Sequence, residues 1–481
     1  MSLLLPGIRR AALKLPTAPF VCRQCLHKRP RAAPSQVLNS LRQSRRYAST
    51  APRGGRPPVA FYSSNAAAAA ANMAASSAPA QAAKRAFPET SSKSVAYWLI
   101  GSAASVFGIV VFGGLTRLTE SGLSITEWKP VTGSLPPLTQ DHWEAEFAKY
   151  RASPEFKQLN SHMDLAEFKK IYYMEWTHRL WGRVIGLSFV LPAIYFVARR
   201  RTSVRMAAHL GGISALIGFQ GIIGWWMVKS GLKDDLFAPG SHPRVSQYRL
   251  AAHLSTAFVC YSWMLLAGLG VLRARRLLLT TDPAAAMRLV ETLRSPAVRP
   301  FRRSVAALTA LVFTTVVSGA LVAGLDAGLI YNEFPKMGLG LVPPSGELWD
   351  RFYSRREDGA DLWWRNMLEN PSLVQLDHRI LATTTFCAVL ALFAYARRGR
   401  VAAVLPKEAQ KGMLGVVHLV SLQVALGIST LIYMVPVPLA AAHQAGSLAL
   451  MTGVLVLGHR LRVPKPTIAM IQKRLASAAK H

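Results

Sequence analysis

The sequence predicts an all-α polytopic membrane protein, with eight transmembrane helices arranged as two repeat-related four-helix bundles. Three observations lead to this fold class: long apolar runs, an uneven distribution of basic residues, and an internal repeat. The 481-residue chain is 51% hydrophobic and has a mean hydropathy of +0.23, yet its net charge is +33. Soluble domains rarely combine these properties.

Eight apolar runs are long enough to cross the hydrocarbon core of a bilayer, which takes about 20 residues. None shows the two-residue alternation of a strand, and only helices or closed barrels satisfy the backbone in lipid. We therefore expect eight helical spans in contact with the lipid bilayer. They cover approximately residues 95–116, 180–198, 206–228, 250–272, 304–325, 379–396, 412–434 and 438–458.

The basic residues are distributed by topology. Residues 1–94 carry 15 Lys or Arg and a single acid, Glu89. The segments after the even-numbered spans carry 23 basic and 3 acidic residues, whereas those after the odd-numbered spans carry 17 basic and 20 acidic residues. The positive-inside rule then places both termini and every even-numbered exit in one compartment. Because the charge follows topology and targeting, no basic domain remains to bind nucleic acid.

The N-terminal segment has the composition of a mitochondrial transit peptide, rich in Arg, Ser and Ala. We therefore expect a multi-pass protein of the mitochondrial inner membrane with both termini in the matrix. The predicted organisation is a transit peptide 1–50, a disordered low-complexity linker 51–94, an N-terminal four-helix half 95–275, a matrix linker 276–303, a C-terminal four-helix half 304–460 and a matrix tail 461–481.

An internal repeat relates the two halves. "VVFGGLTRLTESGLSITEW" from Val110 matches "VVSGALVAGLDAGLIYNEF" from Val316 at an offset of 206. "EWTHR" matches "QLDHR" at 200, "GFQGIIG" resembles "SLQVALG" at 203, and "RLAAHLS" matches "LAAAHQA" at 190. Since each repeat starts and ends on the same side, the halves should be parallel repeats about an axis along the membrane normal.

Four histidines occupy repeat-equivalent positions near the predicted beginnings of the even-numbered spans. They are His178 and His253 in the first half, and His378 and His443 in the second. Two histidines at equal depth on facing helices can supply both axial ligands of one haem iron. The alternative is that they are interfacial residues that cap helices. Zinc is disfavoured because no third or fourth ligand accompanies either pair.

One acidic position separates the two halves chemically. Glu175 precedes His178 by about one helical turn, and the equivalent residue of the second half is Gln375. If only one half is reactive, we expect it to be the half with Glu175; the alternative is a carboxylate stabilised by the helix dipole. Arg179 and Arg379 directly follow their histidines and are candidates to bind haem propionates, or else to reach the interface by snorkelling.

Several ordered motifs resemble the haem A synthase family over residues 95–460. They are "GGLTRLTESGLSITEWKPVTGSLPP", "EWTHRLWGR", "RLAAHLSTA", "AGLDAGLIYNEFPKMG", "NPSLVQLDHR" and "AAHQAGSLALM". The resemblance implies oxidation of the C8 methyl of haem O to a formyl group, giving haem A for cytochrome c oxidase. Unlike many bacterial relatives, residues 117–176 contain no cysteine pair.

The resemblance also implies roles for residues and partners. His378 and His443 would ligate a haem b cofactor, His178 and His253 the substrate haem, and Glu175 would be the essential catalytic carboxylate. A ferredoxin-type donor on the matrix side, haem sites toward the intermembrane space, a homo-oligomer and contact with haem O synthase are further expectations.

Two other functions are compatible with part of the pattern. A di-haem b-type electron-transfer protein would hold both haems permanently, but it would not require the difference between Glu175 and Gln375. A transporter with histidine proton relays would require helices broken by Gly or Pro near the membrane midplane, and no such pair is present.

Overall fold

The computed structural model describes residues 86–237 and 243–478. Within these ranges the chain is almost entirely helical, and its only β-type pairing is an isolated bridge between Met337 and Gly340. The predicted fold class is confirmed. The expected transit peptide 1–50 and most of the linker 51–94 lie outside the described residues.

Eight helices in the described ranges are long and apolar enough to cross a membrane, as the sequence predicted. We number them α1 to α8 and refer to shorter helices by their residues. The spans are α1 Lys93–Leu118, α2 Leu165–Ala198, α3 Val204–Val228, α4 Gln247–Leu278, α5 Arg299–Gly324, α6 Pro371–Ala396, α7 Lys407–Ile432 and α8 Val437–Arg460.

Helix α2 begins at Leu165, well before the predicted start near residue 180. Asp164 caps it by accepting a hydrogen bond of 2.8 Å from the backbone N–H of Glu167, whose side chain completes a capping box. The first turns are polar and therefore do not appear in a hydropathy profile. As a result, His178 lies more than three turns inside its helix rather than at the beginning.

The early turns of α2 are covered by an aromatic cluster on the loop between α1 and α2. This loop forms two short helices, Gln140–Arg151 and Pro154–Gln158. The ring of Tyr150 stacks on that of Phe168 at 5.3 Å, and both side chains are fully buried. The loop is thus part of a packed cap over the first half.

Each half is a closed ring of four helices. Helix α1 packs against α2 and α4, and α3 packs between α2 and α4; α5 to α8 repeat the same order. Therefore α2 faces α4, and α6 faces α8, across the interior of its own bundle. The halves meet through α1, α4, α5 and α8, where Gln444 donates to the carbonyl of Val110 at 2.7 Å.

Candidate functional site

The four histidines lie on the helices that face each other across the two bundles, α2 and α4 in the first half and α6 and α8 in the second. Each of these side chains is partly buried. The His178 and His253 rings lie close enough for their charges to interact, as do those of His378 and His443. The structure thus pairs the histidines within each half.

A glycine on the preceding helix supports each histidine ring. A Cβ atom added to Gly113 would lie 2.7 Å from Cε1 of His178, and one added to Gly319 would lie 3.1 Å from Cε1 of His378. The α4 and α8 histidines repeat the arrangement. A Cβ atom added to Gly224 would lie 3.0 Å from Cε1 of His253, and one added to Gly427 would lie 2.8 Å from Cε1 of His443. No larger residue fits these positions without moving a ring.

The α4 and α8 histidines share a second contact. The Gln220 amide nitrogen donates to the His253 carbonyl at 2.8 Å, and the Gln423 amide nitrogen donates to the His443 carbonyl at 2.9 Å. These glutamines are repeat-equivalent. Both halves therefore hold the backbone of this histidine in the same way.

Glu175 is 3% exposed and accepts four hydrogen bonds. Ser124 Oγ and the backbone N–H of Ile125 donate to its Oε2 at 2.7 and 2.8 Å, and Arg179 donates to its Oε1 from Nε and Nη2 at 3.0 and 2.6 Å. Both carboxylate oxygens are therefore fixed against the loop that follows α1, one turn from His178.

Gln375 occupies the equivalent position but has the opposite hydrogen-bonding role. Its amide nitrogen donates to the carbonyls of Ala327 and Ile330 at 2.8 and 2.5 Å, and its buried Oε1 has no partner. In the second half the loop carbonyls therefore accept hydrogen bonds from Gln375, whereas in the first half the loop donates hydrogen bonds to the Glu175 carboxylate.

Arg179 and Arg379 bind the loops after α1 and α5. Arg179 donates to the carbonyls of Ile125 and Glu127 at 2.8 and 3.0 Å. Arg379 donates to the carbonyls of Tyr331 and Glu333 at 2.7 and 3.0 Å. These acceptors are equivalent in the repeat, so both arginines anchor the same loop. A propionate contact for either one remains a prediction.

A second buried acid lies in the cap over the first half. The Glu155 carboxylate accepts a hydrogen bond of 2.9 Å from the Tyr150 hydroxyl, which in turn accepts one of 2.8 Å from the Asn160 amide. Burial raises the pKa of Glu155 to about 8, and the negative charges of Glu175 and Glu120 act in the same direction. No sequence motif indicated this group.

The arrangement fits haem better than a small metal ion. Among residues 86–237 and 243–478, no group of three or more His, Cys, Asp or Glu side chains could hold a metal ion. Two histidines that face each other across a four-helix bundle are instead the donor set of a bis-histidine haem. The buried Nδ1 atoms of His178 and His443 have no protein partner, so neither ring is committed to a hydrogen bond at that atom.

Comparison with known proteins identifies the family. A family model described as cytochrome oxidase assembly protein, COX15-CtaA, matches residues 96–455. The chain belongs to this family. The family resemblance inferred from the motifs is thereby confirmed.

Three relatives show the extent of the similarity. Heme A synthase COX15 of Saccharomyces cerevisiae is 55% identical over 78% of this chain and 76% of its own length. Heme A synthase COX15 of Homo sapiens is 44% identical over 81% of this chain and 86% of its own length. A heme A synthase-mitochondrial ferredoxin fusion protein of Schizosaccharomyces pombe is 52% identical over 77% of this chain, which covers 60% of that longer protein.

Sequence reasoning missed several residues that contact the histidines. The repeat aligned Gly113 with Gly319 and Gln220 with Gln423, but it assigned no role to these residues. Their recurrence at the repeat offsets was the available signal. Ser318, which contacts Nδ1 of His378, could not be found in this way, because its equivalent in the first half is Phe112.

Proposed function

We propose that this protein is a haem A synthase of the mitochondrial inner membrane. It oxidises the C8 methyl of haem O by two successive hydroxylations, and loss of water from the product leaves the formyl group of haem A for cytochrome c oxidase. The observation that carries the proposal is a matched pair of bundles, each with two facing histidines, of which only one has a buried carboxylate beside its histidine. The names of the relatives support the same activity.

The two halves, 95–275 and 304–460, have different roles in this proposal. His378 and His443 hold a haem b cofactor, and His178 and His253 hold the substrate haem. The bound haem iron supplies the redox chemistry. The protein orients the methyl group, excludes water and delivers electrons. Arg379 is a candidate for a propionate contact because its Nε is buried without a partner, and Arg179 has the equivalent position in the first half.

Glu175 is the catalytic residue of the reactive half. Its four hydrogen bonds fix both oxygens one turn from His178, so the carboxylate has a defined position beside the substrate. It positions the reacting methyl group and accepts a proton released there. Gln375 cannot accept a proton near neutral pH, which is consistent with a second half that only carries electrons.

The remaining features concern topology and partners. We place both termini in the matrix and the haem sites toward the intermembrane space, on the basis of the charge distribution. A matrix ferredoxin is the proposed electron donor, and the fusion of a relative to a mitochondrial ferredoxin supports it. A homo-oligomer and contact with haem O synthase complete the proposal.

Extraction and mass analysis of haem from the purified protein tests this function. The wild type should hold haem B together with haem O or haem A, whereas Glu175→Gln should hold haem B but accumulate haem O or its hydroxylated form. Glu155→Gln, the same substitution at the other buried acid of the first half, serves as a control for the specificity of the Glu175 effect. Haem B alone at two sites in both the wild type and Glu175→Gln would instead identify a di-haem electron carrier.

A further inference from the structure

The α6 histidine, His378, has a side-chain contact that its α2 counterpart, His178, does not have. Ser318 on α5 lies 2.8 Å from Nδ1 of His378 and 2.8 Å from the carbonyl of Thr315. A hydroxyl has one hydrogen and a carbonyl only accepts, so both contacts are satisfied when Ser318 donates to Thr315 and accepts from Nδ1–H of His378. This tautomer leaves the lone pair on Nε2, the atom that ligates iron.

Phe112 takes the place of Ser318 in the first half. Its ring lies nearly parallel to that of His178, with the centroids 6.4 Å apart and an angle of 8° between the planes. A phenyl group offers no hydrogen-bond acceptor for a ring N–H, and the buried Nδ1 of His178 has no partner. The His178 ring packs against Phe112 and Gly113, and no hydrogen bond at Nδ1 fixes its orientation.

The α4 and α8 histidines share their glycine and backbone contacts but differ at the ring nitrogens. Gln220 Nε2 lies 3.1 Å from Nδ1 of His253, whereas Gln423 Nε2 lies 3.5 Å from Nε2 of His443, whose Nδ1 has no partner. Each of the four rings lies against a glycine, and the carbonyls of His253 and His443 each accept from an equivalent glutamine. At the α2 and α6 histidines the difference is larger, because Phe112 stands beside His178 where Ser318 contacts Nδ1 of His378. Just before these histidines, Glu175 and Thr177 of the first half correspond to Gln375 and Asp377 of the second.

We propose that Ser318 is a positioning residue that keeps His378 on the haem iron permanently, whereas Phe112 leaves His178 free to leave the iron. This inference rests on the proposed function. A hydrogen bond from Nδ1–H fixes the orientation of a ligating imidazole and makes it a stronger donor. Such an anchor suits a resident cofactor, and its absence suits a substrate haem that must enter and leave.

The proposal also identifies the reactive face of the substrate haem. If His178 released a bound haem, the position it vacated would lie on the side of helix α2. Glu175 lies on the same helix, about one turn away. The fixed carboxylate would then be beside the vacated position, and His253 on α4 would hold the haem from the other side.

Carbon monoxide binding to the dithionite-reduced protein tests the proposal, because CO binds only where an axial ligand can be displaced. The full chain is purified in detergent after co-expression with a haem O synthase, and its haem content and spin state are recorded. In the wild type we expect the first-half haem to bind CO and the second-half haem to remain six-coordinate and low-spin. Ser318→Ala should let a second equivalent bind, and Phe112→Ser should suppress CO binding in the first half.

Two further variants separate the hydrogen bond from packing. Ser318→Thr keeps the hydroxyl and should behave as the wild type, and Phe112→Leu keeps an apolar residue and should retain CO binding. Loss of second-half haem in Ser318→Ala but not in Ser318→Thr would also support the anchor. An unchanged CO stoichiometry and spin state in Ser318→Ala, or equal haem loss in the alanine and threonine variants, would overturn the proposal.

The proposed function fails in a different way. A wild-type protein without haem, or one that keeps both haems after His378→Ala and after His178→Ala, would contradict histidine ligation itself. In contrast, a protein whose two haems depend on these histidines but bind CO identically would leave the function intact and refute only the role of Ser318.

Discussion

Arg179 and Glu175 form a buried ion pair one helical turn apart, with Nη2 of the arginine 2.6 Å from Oε1 of the carboxylate. The same guanidinium also donates to two carbonyls of the loop after α1. The carboxylate, the loop and helix α2 are therefore held as one unit. Arg379 anchors the equivalent loop of the second half without any carboxylate partner, because Gln375 stands where Glu175 would be.

Replacement of Arg179 should therefore lower the stability of the protein more than replacement of Arg379. Arg179→Ala leaves Glu175 buried without its counter-ion, which costs about 3–5 kcal/mol for a buried pair. Arg379→Ala removes only hydrogen bonds to carbonyls. We expect the larger fall in the thermal midpoint, measured by circular dichroism in detergent, for Arg179→Ala. Equal shifts for the two variants would argue against a stabilising ion pair.

Introduction of an acid at position 375 should destabilise the second half and not make it reactive. In Gln375→Glu the new carboxylate would face the carbonyls of Ala327 and Ile330, which now accept from the amide, and a buried unsatisfied group costs about 1–3 kcal/mol. We expect a lower thermal midpoint and an unchanged haem A content per folded protein. A haem A content that rises with this substitution would contradict the assignment of the second half.

The glycines beside the histidines should not tolerate a methyl group. A Cβ at Gly427 would lie 2.8 Å from Cε1 of His443, so Gly427→Ala must displace the ring and weaken haem ligation. Gly415 on the same helix has no neighbour within 4 Å of such an atom, so Gly415→Ala is the matched control. The pyridine haemochrome assay should show several-fold less haem B for Gly427→Ala, with the control near wild type. Full haem retention in Gly427→Ala would disprove the supporting role.

Glu155 should make stability depend on pH. Its pKa is raised to about 8, so the folded protein keeps the proton that an unfolded carboxyl releases at lower pH. The stabilising contribution is therefore complete below the ordinary carboxyl pKa and is lost as pH rises toward 8, by on the order of 1 kcal/mol per pH unit. The charged groups that act on it are Glu175, Glu120 and Arg117, and Tyr150 donates a hydrogen bond to it.

Glu155→Gln keeps the shape of this side chain and removes its proton. The thermal midpoint of the wild type should fall between pH 5 and pH 8, and the variant should lose most of that dependence. Difference infrared spectra at pH 6 should show a protonated carboxyl band in the wild type that is missing in the variant. A band that persists in Glu155→Gln would assign the proton to another acid.

The polar turns of α2 illustrate a limit of sequence reasoning. Hydropathy located eight spans because apolar composition is a local property, and all eight are present. It placed the start of α2 near residue 180 because the segment after Leu165 is polar, although Asp164 and Glu167 form a capping box that marks the true beginning. The helix extends beyond the apolar run because aromatic packing with residues such as Tyr150 and Trp143 stabilises it outside the membrane-type segment.

The sequence by itself determined the eight helical spans, the repeat, the four equivalent histidines and the contrast between Glu175 and Gln375. These features depend on composition, periodicity and offset, all of which can be measured along the chain. The tertiary structure decided the contact of each histidine with a glycine, the anchor between Ser318 and His378, and the binding of Arg179 to loop carbonyls. Such contacts join different helices or a helix and a loop, between 16 positions apart for Gly427 and His443 and 65 for Gly113 and His178. Side-chain direction at a helix crossing is set by packing rather than by sequence spacing.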